Sequence, residues 1–276
     1  MHLKIPRSLR ASRPPAAFTL MELLVVISII LVLAAIAFPV YGVIMRGVNK
    51  GVATNNMRQV TAALMSYAAQ NDGNFPQENI PAGSSWANAA NPAMGEKVWY
   101  NALPRMAGSK GVGDYATTPA NYYAKGNLLY LPGAQYPIAE TRLLKPYFAF
   151  AINTKLQRVA DKESKEKVAA KLSHITLPSR TVAFLEVGMP LEQSLQPKDI
   201  TDLPSYDGGD PKASARSFVG RYGEQGVITF LDGHAETFAV KDLVNSNGQI
   251  TWDENKVKAG ELPRVIWCRT PEENPN

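Results

Sequence analysis

Cysteine and histidine are scarce in this chain of 276 residues, which has one cysteine, Cys268, and three histidines. A single cysteine cannot form an intrachain disulfide. With His2, His174 and His234 it also cannot build a zinc site or a CxxC redox site at these spacings. No recognisable Ser or Cys nucleophile signature accompanies His174. The sequence therefore gives no reason to expect an enzyme or a bound cofactor.

Acidic residues are absent from the first seventeen positions, which hold four of the 29 basic residues. The rest of the chain has 25 basic and 24 acidic residues, so the net charge of +5 arises mainly from this N-terminal segment. Elsewhere Lys and Arg are mixed with acids and form no stripe that could follow a phosphate backbone. The basic balance therefore does not indicate a nucleic-acid partner.

Charge is also absent from a run of 23 residues, Leu23 to Met45. A helix of this length measures about 34 Å, enough to cross a hydrocarbon core of about 30 Å. The alternative is a buried core helix, which is disfavoured because such helices are seldom apolar on every face over this length. The positive-inside rule keeps the basic N-terminus in the cytoplasm and predicts that the C-terminal part is translocated.

Two kinds of processing fit this N-terminus. An ordinary secretory signal would be cut at a small-x-small site, which Ala35-Ile36-Ala37 supplies, and the mature chain would begin at Phe38. Its basic region would be unusually long, and Glu22 would lie directly against the apolar run. The second kind of processing rests on a resemblance to a known family.

The segment Ala17 to Ile27, AFTLMELLVVI, resembles the signature of type IV prepilins and type II secretion pseudopilins. The resemblance implies that prepilin peptidase cuts between Ala17 and Phe18 and methylates the new N-terminal amine. Residues 1–17 would then be a cytoplasmic leader peptide. The family usually has Gly where this chain has Ala17, and Pro39 occupies a position at which many pilins have a helix-distorting proline.

Glu22 becomes the fifth residue of the mature chain under this resemblance. A carboxylate at the edge of an apolar span is costly unless it has a partner, and the span contains no Lys, Arg or His. Pilins are thought to pair this carboxylate with the N-terminal amine of a neighbouring subunit, so the resemblance implies that Glu22 pairs with the amine of Phe18 from another copy. The alternative for Glu22 is a place among hydrated headgroups.

The pattern of residues after the apolar run predicts that the helix continues. Apolar residues recur at helical spacing and define one face of an amphipathic helix: Ala53, Met57, Val60, Leu64 and Tyr67. We expect the helix to continue to about Gln70 and to stop near Asn71-Asp72-Gly73. The sequence thus predicts a spine helix over residues 18–72, with a transmembrane span at about 23–45.

The remaining residues, 73–276, predict a globular pilin-like head. Residues 74–147 indicate short helices and loops, and Asp161 to Leu172 indicates a charged helix or a mobile loop. Thr181 to Val187 has the composition of a strand. Residues 227–231 and 234–240 predict a hairpin closed by an Asp232-Gly233 type I′ turn. The expected fold class is α+β, with a spine helix packed against a small antiparallel sheet.

A second resemblance covers two further segments. Residues 67–76, YAAQNDGNFP, are similar to a segment of a large group of bacterial prepilin-like proteins. That group also has a C-terminal signature of His, nine residues and Asp-Gly. Asp232-Gly233-His234 matches its later part, whereas Tyr222 stands at the position of the histidine.

Three groups of residues could form sites, but a structural role explains each of them better. Turn chemistry already requires Asp232-Gly233, so this pair predicts a hairpin turn rather than a catalytic group. The acids Asp202, Asp207 and Asp210 could line a calcium loop, but their spacing matches no EF-hand and a polar surface loop is favoured. The aromatic residues of 86–147 could line a binding surface, although packing is the default. No metal ligand is predicted.

The sequence therefore predicts a structural subunit of a type IV pilus or a type II secretion pseudopilus. It would assemble through its spine helix with other pilin-like subunits. The expected location is the bacterial inner membrane, with one span, a cytoplasmic N-terminus and a periplasmic head. The alternative is a membrane-anchored or secreted envelope protein that binds a ligand and does not polymerise. Polymerisation requires the new N-terminus and Glu22, and an anchor requires neither.

Overall fold

A computed structural model describes residues 19–156, 159–160, 167–168, 171–196, 206–243 and 264–270. Its first element is α1, a helix of 51 residues from Leu20 to Gln70. The chain divides into two compact units, whose boundary lies within α1 between Met45 and Arg46. We call the second unit, residues 46–276, the body.

The part of α1 before the boundary is apolar and exposed. Its large side chains, among them Leu24, Ile30, Leu33 and Ile36, are about half exposed or more. The backbone stays helical through Pro39, Gly42 and Gly47. This segment therefore buries no core of its own within the described residues.

The rest of α1 forms part of the core of the body. Ala53, Met57, Val60, Leu64 and Ala68 are fully buried, at spacings of four and three that place them on one helical face. They belong to the same hydrophobic cluster as Phe184 and Leu231 of the sheet region. The second half of the predicted spine helix therefore packs against the sheet.

The end of α1 has a local cause that the sequence predicts. Asp72 has φ +53° and Gly73 has φ +81°, and the amide of Gly73 donates to the carbonyl of Ala68 at 2.8 Å. This is a Schellman arrangement, in which a left-handed residue turns the chain out of the helix and satisfies a free carbonyl. Gln70 is accordingly the last helical residue.

Short helices separated by loops lie in the segment between α1 and the sheet, as the sequence predicts. The α-helices are α2 (Trp86–Ala90), α3 (Pro92–Gly95), α4 (Trp99–Met106), α5 (Pro119–Tyr122) and α6 (Ala139–Arg142). Short 3-10 helices span Val112–Tyr115, Thr154–Leu156, Leu172–His174, Pro190–Leu195, Ala215–Ser217 and Val240–Asp242. Trp99 of α4 is fully buried and packs against Phe148, Phe150 and Phe184.

The strands are β1 (Phe150–Asn153), β2 (Val159–Ala160), β3 (Lys167–Val168), β4 (Val182–Glu186), β5 (Lys212–Ala213), β6 (Gln225–Phe230) and β7 (Ala235–Ala239). Five of them form one sheet in the order β5-β1-β4-β6-β7, and β2 pairs with β3. The charged segment Asp161 to Leu172 contains strand β3, Lys167–Val168. Residues 161–166 and 169–170 of this segment lie outside the described residues.

The α+β class, with a spine helix and a sheet, is confirmed, but the expectation of an antiparallel sheet is wrong. Strand β5 pairs with β1 in parallel, through Ile152 with Lys212 and Asn153 with Ala213. The other three pairings are antiparallel. The sheet is therefore mixed, because a chain that returns to an edge through a long connection can enter in either direction.

Both faces of the sheet are covered. Every residue of β1 and β4 is buried, which is typical of a central strand packed on two sides. One face carries the cluster with α1, and the other carries a cluster that includes Leu185, Phe230 and Trp267. Ile266 forms a parallel bridge with Thr181, so the stretch 264–270 joins this second layer.

The predicted hairpin is present, with a different turn. Gly233 has φ +94°, whereas Asp232 does not have a positive φ, and the amide of Gly233 donates to the carbonyl of Phe230 at 2.9 Å. The amide of Phe230 donates to the carbonyl of His234 at 3.0 Å. The loop is thus Leu231-Asp232-Gly233, a type I turn followed by a left-handed glycine. The expected type I′ turn is wrong because only one residue occupies the left-handed region.

Candidate functional site

The first turn of α1 holds Thr19 and Glu22 together. The Thr19 amide donates to the Glu22 carboxylate at 2.9 Å, and the Thr19 hydroxyl donates to the same oxygen at 2.8 Å. In return the Glu22 amide donates to the Thr19 hydroxyl at 3.2 Å. This is a capping box, in which two side chains satisfy amides that a helix start leaves without partners. Glu22 therefore has hydrogen-bond partners within its own chain.

Helix α1 is the candidate membrane segment that follows this cap. It is long and apolar enough to cross a membrane, and its most apolar stretch is not buried. This lack of burial argues against the alternative of a core helix. Exposed apolar surface of this extent needs lipid or another protein to cover it. The N-terminal helix thus fits a membrane anchor.

The other predicted site residues fall in different places. Ala17 and Phe18 lie outside the described residues. Pro39 lies within the helical backbone of α1. Asp232 and Gly233 belong to the β6–β7 loop, where the Asp232 carboxylate accepts from the His234 amide at 3.1 Å. The positions of Asp232 and Gly233 are those of a turn.

The acids weighed as a calcium loop do not form a ligand set in the described residues. Asp202 lies outside them, and both Asp207 and Asp210 are exposed. Each of these two carboxylates accepts from a backbone amide two residues further on, Gly209 and Lys212 respectively. The described residues contain no group of three or more His, Cys, Asp or Glu that could hold a metal ion.

The body contains a buried ionic cluster that the sequence does not predict. Arg221 donates to Glu186 at 3.0 Å and to both carboxylate oxygens of Glu192 at 2.8 Å. It also donates to the carbonyls of Ala149 and Val187. The three charged side chains are at most 1% exposed. Arg221 thus joins β4, the start of β1 and the Pro190–Leu195 helix.

Tyr222 extends this cluster. Its hydroxyl donates to Glu186 at 3.0 Å, and the same carboxylate accepts from the amide of Val227 at 2.8 Å. Burial raises the pKa of Glu186 above its usual range, against the opposing effects of Arg221 and these hydrogen bonds. Burial also raises the pKa of the Tyr222 hydroxyl, which stays protonated and can donate. The contacts of this cluster join β4 to the segments that precede β1 and β6.

One signal in the sequence could have indicated the cluster, and another could have indicated the cap. Glu186 is the only charged residue of the otherwise apolar TVAFLEV strand, and a buried carboxylate requires a donor. Thr19 precedes Glu22 by three residues, which is the spacing of a capping box. The partners of Glu186 could not be identified, because Arg221 is 35 residues away in the chain.

Comparison with protein families gives one match at the N-terminus. The model described as "Prokaryotic N-terminal methylation motif" matches residues 13–38. The chain therefore carries a prepilin-type signature, as the first resemblance predicted. The second resemblance, over residues 67–76 and 232–234, lies outside this match and stays a prediction. No curated protein and no solved structure matches the chain.

Proposed function

We propose that the chain is a structural subunit of a filament of the type IV pilus or type II secretion pseudopilus class. The observation that supports this most is the methylation motif at residues 13–38, followed without a break by an exposed apolar helix of membrane-spanning length. In proteins with this motif the apolar helix is the natural assembly element, because it presents a continuous apolar surface to lipid and to other helices. The body plays no catalytic part in this proposal.

The proposal includes processing and topology. Prepilin peptidase removes residues 1–17 and methylates the amine of Phe18. The span at about 23–45 anchors the subunit in the bacterial inner membrane, with the N-terminus in the cytoplasm and the body in the periplasm. The basic residues of 1–17 and the absence of acids among them support this orientation. Partners are copies of this chain or other pilin-like subunits.

Mass spectrometry of the mature N-terminus tests the proposal. We expect a chain that begins at Phe18 and carries one methyl group on its amine when it is produced with a prepilin peptidase. In a strain without the peptidase the leader should remain. A mature chain that begins at Phe38 would instead identify an ordinary secretory protein. Retention of residues 1–17 in the presence of the peptidase would favour a simple anchor that binds a ligand through its body.

A further inference from the structure

The body contains an open cleft of about 400 Å³ between two loops. One wall is formed by residues 79–85, which lead into α2, and the other by Lys145 with residues 207–210, which precede β5. The rest of the lining is alanine and glycine, so the cleft offers no aromatic ring and no large apolar side chain to a ligand. Its polar side chains are those of Asn79, Ser84, Ser85, Lys145, Asp207 and Asp210.

Hydrogen bonds hold both walls of this cleft. In the first wall the Ser84 hydroxyl donates to the side-chain oxygen of Asn79 at 2.9 Å. The second wall is tied to the core next to Asp210, where the buried indole of Trp99 donates to the carbonyl of Pro211 at 2.9 Å. A ligand that enters the cleft therefore does not have to order either loop.

The cleft presents charges of both signs that are not paired with each other. The Lys145 ammonium lies close to Gly209, since a Cβ added to this glycine would lie 2.3 Å from Nζ. Among the described residues, however, Lys145 forms no ion pair, and neither Asp207 nor Asp210 pairs with a cation. Each of the two carboxylates accepts a backbone amide through one oxygen, Oδ1. The ammonium and the carboxylates are thus available to a ligand.

The charges beside the cleft do not remove this excess. Lys212 pairs with Glu78 at 3.2 Å, so these two side chains together add no net charge. Partial desolvation raises the pKa of Asp210, and the nearby Asp207 and Glu78 raise it further, against the opposing effect of Lys212. Two carboxylates therefore lie close enough to influence each other, and a positive group between them would relieve their repulsion.

A buried hydroxyl lies beside the same residues. Tyr100 is fully buried, and within the described part of the chain its hydroxyl makes no hydrogen bond of ordinary geometry. Burial raises the pKa of this hydroxyl to about 12, and both Ser84 and Asp210 of the cleft lie near enough to influence it. A buried hydroxyl without a partner is rare in proteins and indicates a polar group that completes its environment. The floor of the cleft thus favours a polar occupant.

We propose that this cleft binds a small zwitterion, an α-amino acid, with its ammonium toward Asp207 and Asp210 and its carboxylate toward Lys145. Such a ligand uses every unpaired charge of the cleft in a charge-assisted hydrogen bond. A simple cation would meet the Lys145 ammonium, and a simple anion would meet the two carboxylates. The inference goes beyond the proposed function and does not depend on it, because it involves the body alone.

The test uses the full chain, labelled with ¹⁵N and held in detergent micelles. Three probes are titrated separately: L-alanine, ethylamine, which lacks its carboxylate, and propionate, which lacks its ammonium. The readout is the chemical shift of the Gly209 and Lys212 amides, which donate to the carboxylates of Asp207 and Asp210. The dissociation constant follows from the saturation of these shifts.

Two variants of the cleft have matched controls elsewhere in the body. Asp210→Asn removes a charge but keeps an oxygen for the Lys212 amide, and Lys145→Gln removes the ammonium. Asp72→Asn is the control for the first, because asparagine tolerates the φ of +53° at that position. Lys125→Gln, at another exposed lysine, is the control for the second.

We expect saturable shifts with L-alanine, and a dissociation constant about tenfold higher or more for each cleft variant, since each loses one charged hydrogen bond. Both controls should bind like the native chain, and ethylamine and propionate should bind it more weakly than L-alanine. Ethylamine that binds as tightly as L-alanine, and more tightly after Lys145→Gln, would overturn the proposal and identify a site for cations. Shifts that do not saturate, or that are the same in both cleft variants as in the native chain, would overturn it as well.

Discussion

Thr61 on α1 and Thr229 on β6 are fully buried, and their hydroxyl oxygens lie 2.7 Å apart. The Thr61 hydroxyl also lies 2.8 Å from the carbonyl of Met57, one turn earlier in the helix. This polar contact thus joins α1 to β6 beside the apolar cluster that the two elements share. It fixes the position of the helix along the strand, because sliding either element would leave buried hydroxyls without partners.

The first prediction concerns this contact. Thr61→Val should lower the free energy of unfolding of the isolated body by about 1–3 kcal/mol, since it leaves the buried Thr229 hydroxyl unsatisfied. The double variant with Thr229→Val should cost clearly less than the two single changes together. Urea unfolding of residues 46–276 provides the measurement. Additive losses would mean that the two hydroxyls do not interact.

The second prediction concerns the β6–β7 loop. Gly233→Val should destabilise the body by about 1–3 kcal/mol, because a β-branched residue resists a φ of +94°. A Cβ at this position meets no atom within 4 Å, so the cost comes from the backbone rather than from a clash. Gly51→Ala is the control of opposite sign: it also meets nothing, lies in a helix, and should stabilise by about 1 kcal/mol. Equal melting temperatures for the native body and Gly233→Val would contradict the turn assignment.

The third prediction separates buried from exposed ion pairs. Arg221→Met should destabilise the body by about 3–5 kcal/mol, because it leaves Glu186 and Glu192 buried without their cation. Arg105→Met is the matched control, since Arg105 pairs with Asp114 at 2.6 Å but both side chains are more than a third exposed. Its loss should cost at most about 1 kcal/mol. Similar urea midpoints for the two variants would mean that Arg221 is not required by the cluster.

The features that the sequence predicted depend on local signals. Asp72-Gly73 ends α1 because these two residues tolerate the left-handed region, and Gly233 closes the hairpin for the same reason. The buried face of α1 follows from a spacing of three and four. Such signals involve residues a few positions apart, so a single sequence contains them.

The features that it did not predict depend on tertiary contacts. Arg221 and Glu186 are 35 residues apart in the chain and lie beside the paired strands β4 and β6. The parallel edge strand β5 is two residues long. Ile266 reaches Thr181 across a long stretch of chain. The residues that neighbour each partner in the sequence contain no pattern that indicates these pairings. Asp-Gly is compatible with both two-residue and three-residue loops, so this pair alone does not determine the type of the hairpin turn.

The capping box gives the Glu22 carboxylate a second possible partner. The resemblance to prepilins implies that its carboxylate pairs with the Phe18 amine of a neighbouring subunit, whereas the structure shows it bonded to Thr19 of its own chain. The Thr19 contact can be replaced by the amine contact when subunits assemble. The cap supplies hydrogen bonds to Glu22 in a single subunit, and the amine supplies a positive charge that Thr19 lacks. The proposed function then predicts that assembly depends on the charge of Glu22, and that insertion depends on neither the charge nor the cap.

The last prediction tests that separation. Glu22→Gln keeps a carbonyl oxygen that can accept from Thr19 but removes the charge, and Thr19→Val removes the hydroxyl but keeps the charge of Glu22. We expect both variants and Glu22→Leu to reach the membrane at native levels. Copies that carry Ile36→Cys should crosslink through their helices in the native and Thr19→Val backgrounds and fail to do so with Gln or Leu at position 22. Ser28→Ala, which loses a hydroxyl that donates to the Leu24 carbonyl of its own helix, is the control that should crosslink normally. Native crosslinking in Glu22→Gln, with a loss in Thr19→Val, would assign Glu22 to helix capping and leave it without a role in pairing subunits.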